Sequence, residues 1–197
     1  DAKLNKLFLM QMVGIFTLAM ATVSFVAPGP YSLLLFVFHY TWFNLSNTLY
    51  YHRGMAHQAY EFKEPLGTFL LLGGLISFLG SPREFSAIHR YHHKYADIPG
   101  KDPHTPVNSR LWAYYGWFIH IDLVKVQEQF GSVDDIKGYL VRNFAESAIG
   151  KYGSFLIYSV FIYFVFGIND YMWGLALATF VSMNSAWMLI ASFCHSN

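Results

Sequence analysis

The apolar positions of this chain fall in long blocks separated by short polar or Pro/Gly breaks. The first block runs from Leu7 to Ala27, long enough as a helix to cross a bilayer, which takes roughly 20 residues. Pro28-Gly29-Pro30 predicts a tight turn, and Tyr31 to Tyr51 predicts a second, aromatic-rich span. Leu66 to Gly80 is apolar but short and contains Gly73-Gly74, which predicts a helix at the membrane interface or buried in protein. Residues 81–151 are mostly polar. Tyr152 to Ile168 and Tyr171 to Phe193 predict a third and a fourth span, with Asn169-Asp170 as the turn between them. The expected fold is all-α: four transmembrane helices with a polar cap, in one domain over residues 1–197.

Charge gives this hairpin pattern a direction. Lys3 and Lys6 precede the first span, and the other eleven of the 13 Lys and Arg residues lie between Arg53 and Lys151. Neither hairpin turn carries a cation, so four spans put every cationic residue on one side, which the positive-inside rule makes cytoplasmic. The membrane is then a bacterial inner membrane or the endoplasmic reticulum. Treating 66–80 as a full span would scatter these charges. Composition agrees with a membrane protein: 13% of residues are charged, against about 25% in ordinary soluble domains. A net charge of +1 favours no nucleic-acid partner, and the single cysteine, Cys194, excludes an intrachain disulfide. No signal-peptide pattern precedes the first span, and Asp1 at the start predicts a processed or partial chain.

The candidate chemistry is histidine. His89, His92 and His93 stand at i, i+3 and i+4, positions that share one helical face. His52 and His57 are five apart, about 140° around an α-helix. Either the helix ends between them or they serve different metals. The four-span count returns the chain to the same side at His195, so all six can meet at one membrane surface. Imidazole suits Zn, Cu, Fe and Ni. Six histidines exceed the ligand set of one zinc centre, which favours two metals. Iron fits best if the substrate is a lipid chain, because zinc has no redox chemistry.

H-x4-H from His52 and H-x2-H-H from His89 on a four-span chain resemble the membrane fatty acid desaturases, specifically the stearoyl-CoA (Δ9 acyl) type. His52-Arg53 and His89-Arg90 open the two boxes, and Asp102-Pro103-His104 continues the likeness. The resemblance implies two Fe ions held by His52, His57, His89, His92, His93 and His195. It implies O2 as co-substrate and cytochrome b5 or a ferredoxin as electron donor. The substrate would be an acyl-CoA or an acyl-lipid, reached among membrane lipids. His195 is implied because Ala191-Ser192-Phe193-Cys194-His195 is similar to the family's Asn-Ser-x-x-His segment. Asp97, Asp102 and His104 are candidates to support ligand imidazoles from behind.

The chain also departs from the family pattern. It ends at Asn197 before the family's last histidine box, so the C-terminal part of the family domain is expected to be missing or this copy to be catalytically incomplete. Ala191 replaces the family's Asn, and Tyr115 stands where the family often has a histidine. Ala87-Ile88 occupy the place of an Arg-Asp pair common in acyl-CoA members, which leaves acyl-lipid substrates open. His39 sits about 20 Å of helix from His52 and is expected to be a neutral bundle histidine, and His120 is expected to be structural. The expected function is O2-dependent desaturation of a long-chain acyl group. The alternatives are a related lipid hydroxylase and a non-catalytic, desaturase-like subunit of a larger membrane assembly.

Overall fold

A computed structural model of the chain describes residues 6–107, 109–120, 126–136 and 140–188. Every regular element among them is helical. Helix α1 (Lys6–Phe25) closely follows the first apolar block. Helix α2 (Ser32–Leu45) continues without a break into a π-helix over Ser46–Ala56. The short α3 (Leu66–Ile76) and the polar α4 (Pro82–Tyr95) follow. Small helices α5 (Trp117–His120), α6 (Val126–Phe130) and α7 (Leu140–Glu146) lead to α8 (Ser154–Phe166). The last run, α9 (Ile168–Tyr171) and α10 (Leu177–Ser182), is bridged and extended by π-helical turns to Met188.

Two helical stretches among the described residues, Lys6–Phe25 and Ile149–Phe166, are long and apolar enough to cross a membrane. They correspond to the first and third predicted spans. The second and fourth predicted spans are helical where described, but alternate between α and π geometry.

Helix α3 is too short to cross and lies against protein. Its Leu71 and Leu75 are fully buried, beside Phe43, Tyr51, Ile162 and Leu175 in the main core. Its glycines permit this approach. A Cβ on Gly73 would run into Ser46 and the Trp42 indole, and one on Gly74 into the Tyr51 ring. The Trp42 indole N–H donates to the Phe69 carbonyl at 2.9 Å, and the two rings stack with centroids 4.6 Å apart. Tyr51 precedes His52, so the packing of α3 fixes the floor under the first histidine pair.

At the opposite end, the two predicted turns meet. Buried Asp170 accepts from the Ser32 hydroxyl at 2.8 Å and from the Tyr31 N–H at 3.0 Å. The predicted bundle histidine, His39, is fully buried between the hairpins. Its Nδ1 faces the Gly174 carbonyl at 2.8 Å, which can only accept, so Nδ1 donates and Nε2 accepts from the Tyr158 hydroxyl at 3.0 Å. His120 likewise donates from Nδ1 to the Gly116 carbonyl at 2.7 Å.

Candidate metal centre

Helix α4 starts at a strong local signal. Ser81 and Glu84 form a reciprocal capping box with Pro82 at the first helical position. The helix that follows carries His89, His92 and His93 in its second half.

The π-helix solves the five-residue spacing of the first pair. The His57 N–H donates to the His52 carbonyl at 3.0 Å, closing a turn over five residues instead of four. Residues five apart therefore stack on one side. The two imidazole centroids are 4.7 Å apart. The expectation of 140° assumed α geometry, and backbone winding removes it.

His89 stands at the middle of the cluster. Its Nε2 is 3.1 Å from His57 Nε2 and 2.9 Å from His93 Nε2, and its ring centroid is 4.5 Å from that of His52. His52, His57, His89 and His93 each bring one nitrogen within 4.8 Å of the others. Neutral imidazoles cannot all donate to one another, so nitrogens this close suit a shared cation. Nitrogens bound about 2.1 Å from one ion are no more than about 4.2 Å apart, and the 3.1 and 2.9 Å pairs meet that limit. Burial, reinforced by the imidazoles of His52, His93, His57 and His92, pushes the His89 pKa down to about 2. Burial, with His57, His93 and Arg53 nearby, also lowers that of His52. A ligand imidazole must be deprotonated, and His89 meets this condition throughout the physiological range.

His92 turns to a different partner. It is buried, and its Nδ1 is 3.0 Å from Asp102 Oδ1. The carboxylate accepts, so Nδ1 carries the proton and Nε2 the lone pair. Asp102 also accepts from the backbone N–H of His104 at 3.1 Å and of Asp97 at 2.9 Å. Burial alone would raise the Asp102 carboxyl, but the His92 and Asp97 bonds and the nearby His104 hold it below its ordinary value. His104 is buried beside it, with ring centroids 4.0 Å from His92 and 5.0 Å from Trp117. His92, Asp102 and His104 form a second, fully buried group whose donor atoms all lie within 4.8 Å. Asp97 supplies its backbone N–H to this group and has a left-handed φ of 58°. Seven of the nine sequence candidates bring an imidazole or carboxylate to two adjoining clusters; Asp97 contributes main chain, and His195 lies outside the described residues.

Residues 24–196 match the family model for fatty acid desaturases. The chain belongs to the fatty acid desaturase family. It is 28% identical over 151 residues to a probable chloroplastic lipid desaturase of Arabidopsis thaliana, covering 75% of this chain and 40% of that one. It is 38% identical over 117 residues to a probable acyl-CoA desaturase of Schizosaccharomyces pombe, covering 59% and 24%. Against a Delta-9 acyl-lipid desaturase of Arabidopsis thaliana the figures are 27% over 157 residues, 79% and 50%. The chain spans half or less of each of these relatives.

Two features of the site escaped sequence reasoning. Arg90 was readable as part of the second histidine box and as a cation of the cap, but not as a partner of the first box. In the fold its guanidinium donates to the Ala56 carbonyl at 2.7 Å, the Met55 carbonyl at 3.0 Å, and both oxygens of Asp135 at 2.9 and 2.8 Å. Asp135 had no sequence signal, because its partner lies 45 positions away. Ala87 and Ile88 are buried in the core, so neither offers a polar contact to a CoA group.

Proposed function

We propose that this chain contributes membrane-spanning and metal-binding elements to an O2-dependent desaturase acting on long-chain fatty acyl groups. The observation that carries this reading is the convergence of His52, His57, His89 and His93 in a chain of this family. The proposed topology has four spans with the histidines on the cytoplasmic face. Large exposed apolar residues support contact with lipid, among them Met10 and Phe16 on α1, Leu33 and Leu34 on α2, and Phe164 on α8.

In this reading His52, His57, His89 and His93 hold one iron, and His92 and His195 contribute to a second. When bound, the iron pair supplies the redox chemistry by which O2, two electrons and two protons become two waters while an acyl –CH2–CH2– becomes –CH=CH–. The chain's own residues prepare that site. His89 stays unprotonated and offers its nitrogen without releasing a proton. Asp102 holds the Nδ1 proton of His92 and so directs the Nε2 lone pair outward. A cavity of about 450 Å³ lies between α1 and the last helical run, walled by Leu9, Met12, Phe16, Tyr114, Phe180 and Met183. Its apolar lining suits a hydrocarbon chain. The relatives' names support acyl-CoA and acyl-lipid groups as the substrate classes. The electron donor in this reading is cytochrome b5 or a ferredoxin. The apolar Ala87-Ile88 step favours the acyl-lipid.

The test is expression of the full-length gene product in a desaturase-deficient host, with lipid profiling and metal analysis. About two irons per chain and a new double bond are expected. A hydroxy acid would reassign the reaction to hydroxylation. An iron-loaded protein that leaves the lipid profile unchanged would overturn the enzymatic reading in favour of a structural subunit.

A further inference from the structure

Arg90 follows His89 directly, but its bonds go to the segment on either side of His57. It donates Nε to the Ala56 carbonyl and Nη2 to the Met55 carbonyl, the last two peptide groups before His57. On the other side of His57, the Gln58 amide donates to the same Asp135 carboxylate that Arg90 grips at both oxygens. Gln58 sits at a left-handed φ of 51°, so the chain turns sharply just after His57 and needs an anchor there. The π-helix ends at Ala56, and main-chain bonding beyond it is sparse: the Ala59 N–H reaches back to the Arg53 carbonyl at 2.9 Å.

We infer that Arg90 and Asp135 are a positioning clamp that holds His57 in register with His89 and His93 and thereby sets the metal affinity of the cluster. The inference rests on the reading of those histidines as metal ligands. Only a guanidinium fits the task. Its planar fork reaches two carbonyls and a bidentate carboxylate at once, whereas an ammonium offers one compact point of charge. The carboxylate is itself held in place. Arg83, two helical turns before Arg90, donates Nε and Nη2 to the Ile136 carbonyl at 3.2 and 3.0 Å, and Ile136 and Val133 are buried in the core. The 131–136 segment is thus fastened to α4 at two points, and Asp135 is presented to Arg90 from a fixed backbone. The Arg90 and Asp135 side chains are 31% and 40% exposed. An ion pair this exposed adds little to global stability, so its loss should act on the position of His57 and not on folding.

The experiment titrates Co(II) into the metal-free, full-length protein in detergent, reading ligand-field absorbance and chelator competition. Arg90→Lys and Asp135→Asn are compared with Arg83→Lys, which loosens the same segment without touching the peptides beside His57. The expected result is a Co(II) affinity about 10–100-fold weaker for Arg90→Lys, as for other groups that orient metal ligands. A smaller loss is expected for Asp135→Asn, and a smaller one still for Arg83→Lys, which only loosens the backbone that presents Asp135. The ligand-field bands of Arg90→Lys should shift while the unfolding temperature of its metal-free form stays in place. Wild-type affinity and spectrum in Arg90→Lys would overturn the clamp. Should Arg90→Lys also unfold earlier, Asp135→Asn decides: weaker binding at an unchanged unfolding temperature supports the clamp, and wild-type binding overturns it. A wild-type protein that takes up no Co(II) would refute the histidine reading itself, and the clamp with it.

Discussion

The backbone N–H of His57 donates to the carbonyl of His52 at 3.0 Å. That single bond turns a spacing of five residues, awkward on an α-helix, into a pair of imidazoles on one side of the chain. It is the last turn of a π-helix that starts at Ser46, and local π geometry is often retained at functional sites. The metal-ligand geometry of the first histidine box is therefore a property of backbone winding as much as of side-chain identity.

His89→Ala should weaken metal binding more than loss of any other single imidazole in the cluster. His89 has its nitrogen within 3.1 Å of two neighbours, His57 and His93. The loss should exceed the roughly 10–100-fold typical of outer partners. Metal retained after dialysis against a chelator measures it, with helical content as the folding control. Retention equal to wild type would remove His89 from the ligand set.

The metal-free protein should lose stability as the pH falls below about 6.5. The folded-state pKa of His89 is about 2, below its ordinary value of 6.5. Below that ordinary value the unfolded chain binds a proton the folded chain refuses. Stability is therefore complete above about 6.5 and declines toward about 2. His52 shifts in the same direction. Chemical unfolding at several pH values checks this: His89→Gln should have a shallower slope on the acid side, and an unchanged slope would contradict the assignment.

Asp102→Asn should leave the fold intact and weaken metal binding about 10–100-fold. The amide keeps the shape of the carboxylate but removes the charge that fixes the Nδ1 proton of His92. Asp102 also accepts two backbone N–H groups, so a modest drop in unfolding temperature is expected. Unfolding without any change in metal affinity would assign Asp102 to loop structure alone.

Gly74→Ala should destabilise the protein by about 1–3 kcal/mol, since its Cβ would meet the Tyr51 ring in a filled core. Gly14→Ala, in the exposed middle of α1 with nothing within 4 Å of the new methyl, should be neutral or stabilising by about 0.5–1 kcal/mol. Thermal unfolding in one detergent compares them. Equal stability of the two variants would contradict the close packing of α3 on the π-helix.

Asp170→Ala should cost about 1–3 kcal/mol for the donors it leaves unpaired, the buried Ser32 hydroxyl and the partly buried Tyr31 N–H. Metal affinity should be unchanged, because Asp170 braces the turns at the end of the bundle away from the histidines. A parallel loss of metal binding would show that the two ends are coupled.

Much of this protein is legible along the chain. The first apolar block became α1 almost residue for residue, because a long uninterrupted apolar run bounded by Pro-Gly-Pro has one economical conformation. The short apolar stretch around Gly73-Gly74 read as a helix that does not span, either interfacial or buried, and the structure packs it against protein; His39, read as a bundle histidine, is hydrogen-bonded on both nitrogens. The i, i+3, i+4 spacing of His89, His92 and His93 placed them on one helix, which local capping at Ser81 guarantees. Tertiary structure decided the rest. It divided that triplet, sending His89 and His93 to the first histidine pair and His92 to Asp102, because the partners of each come from segments far apart in sequence. It chose π winding for Ser46–Ala56. It also joined Arg90 to Asp135 across 45 positions, a contact that depends on how the polar cap folds back over α4 and has no trace in spacing or composition.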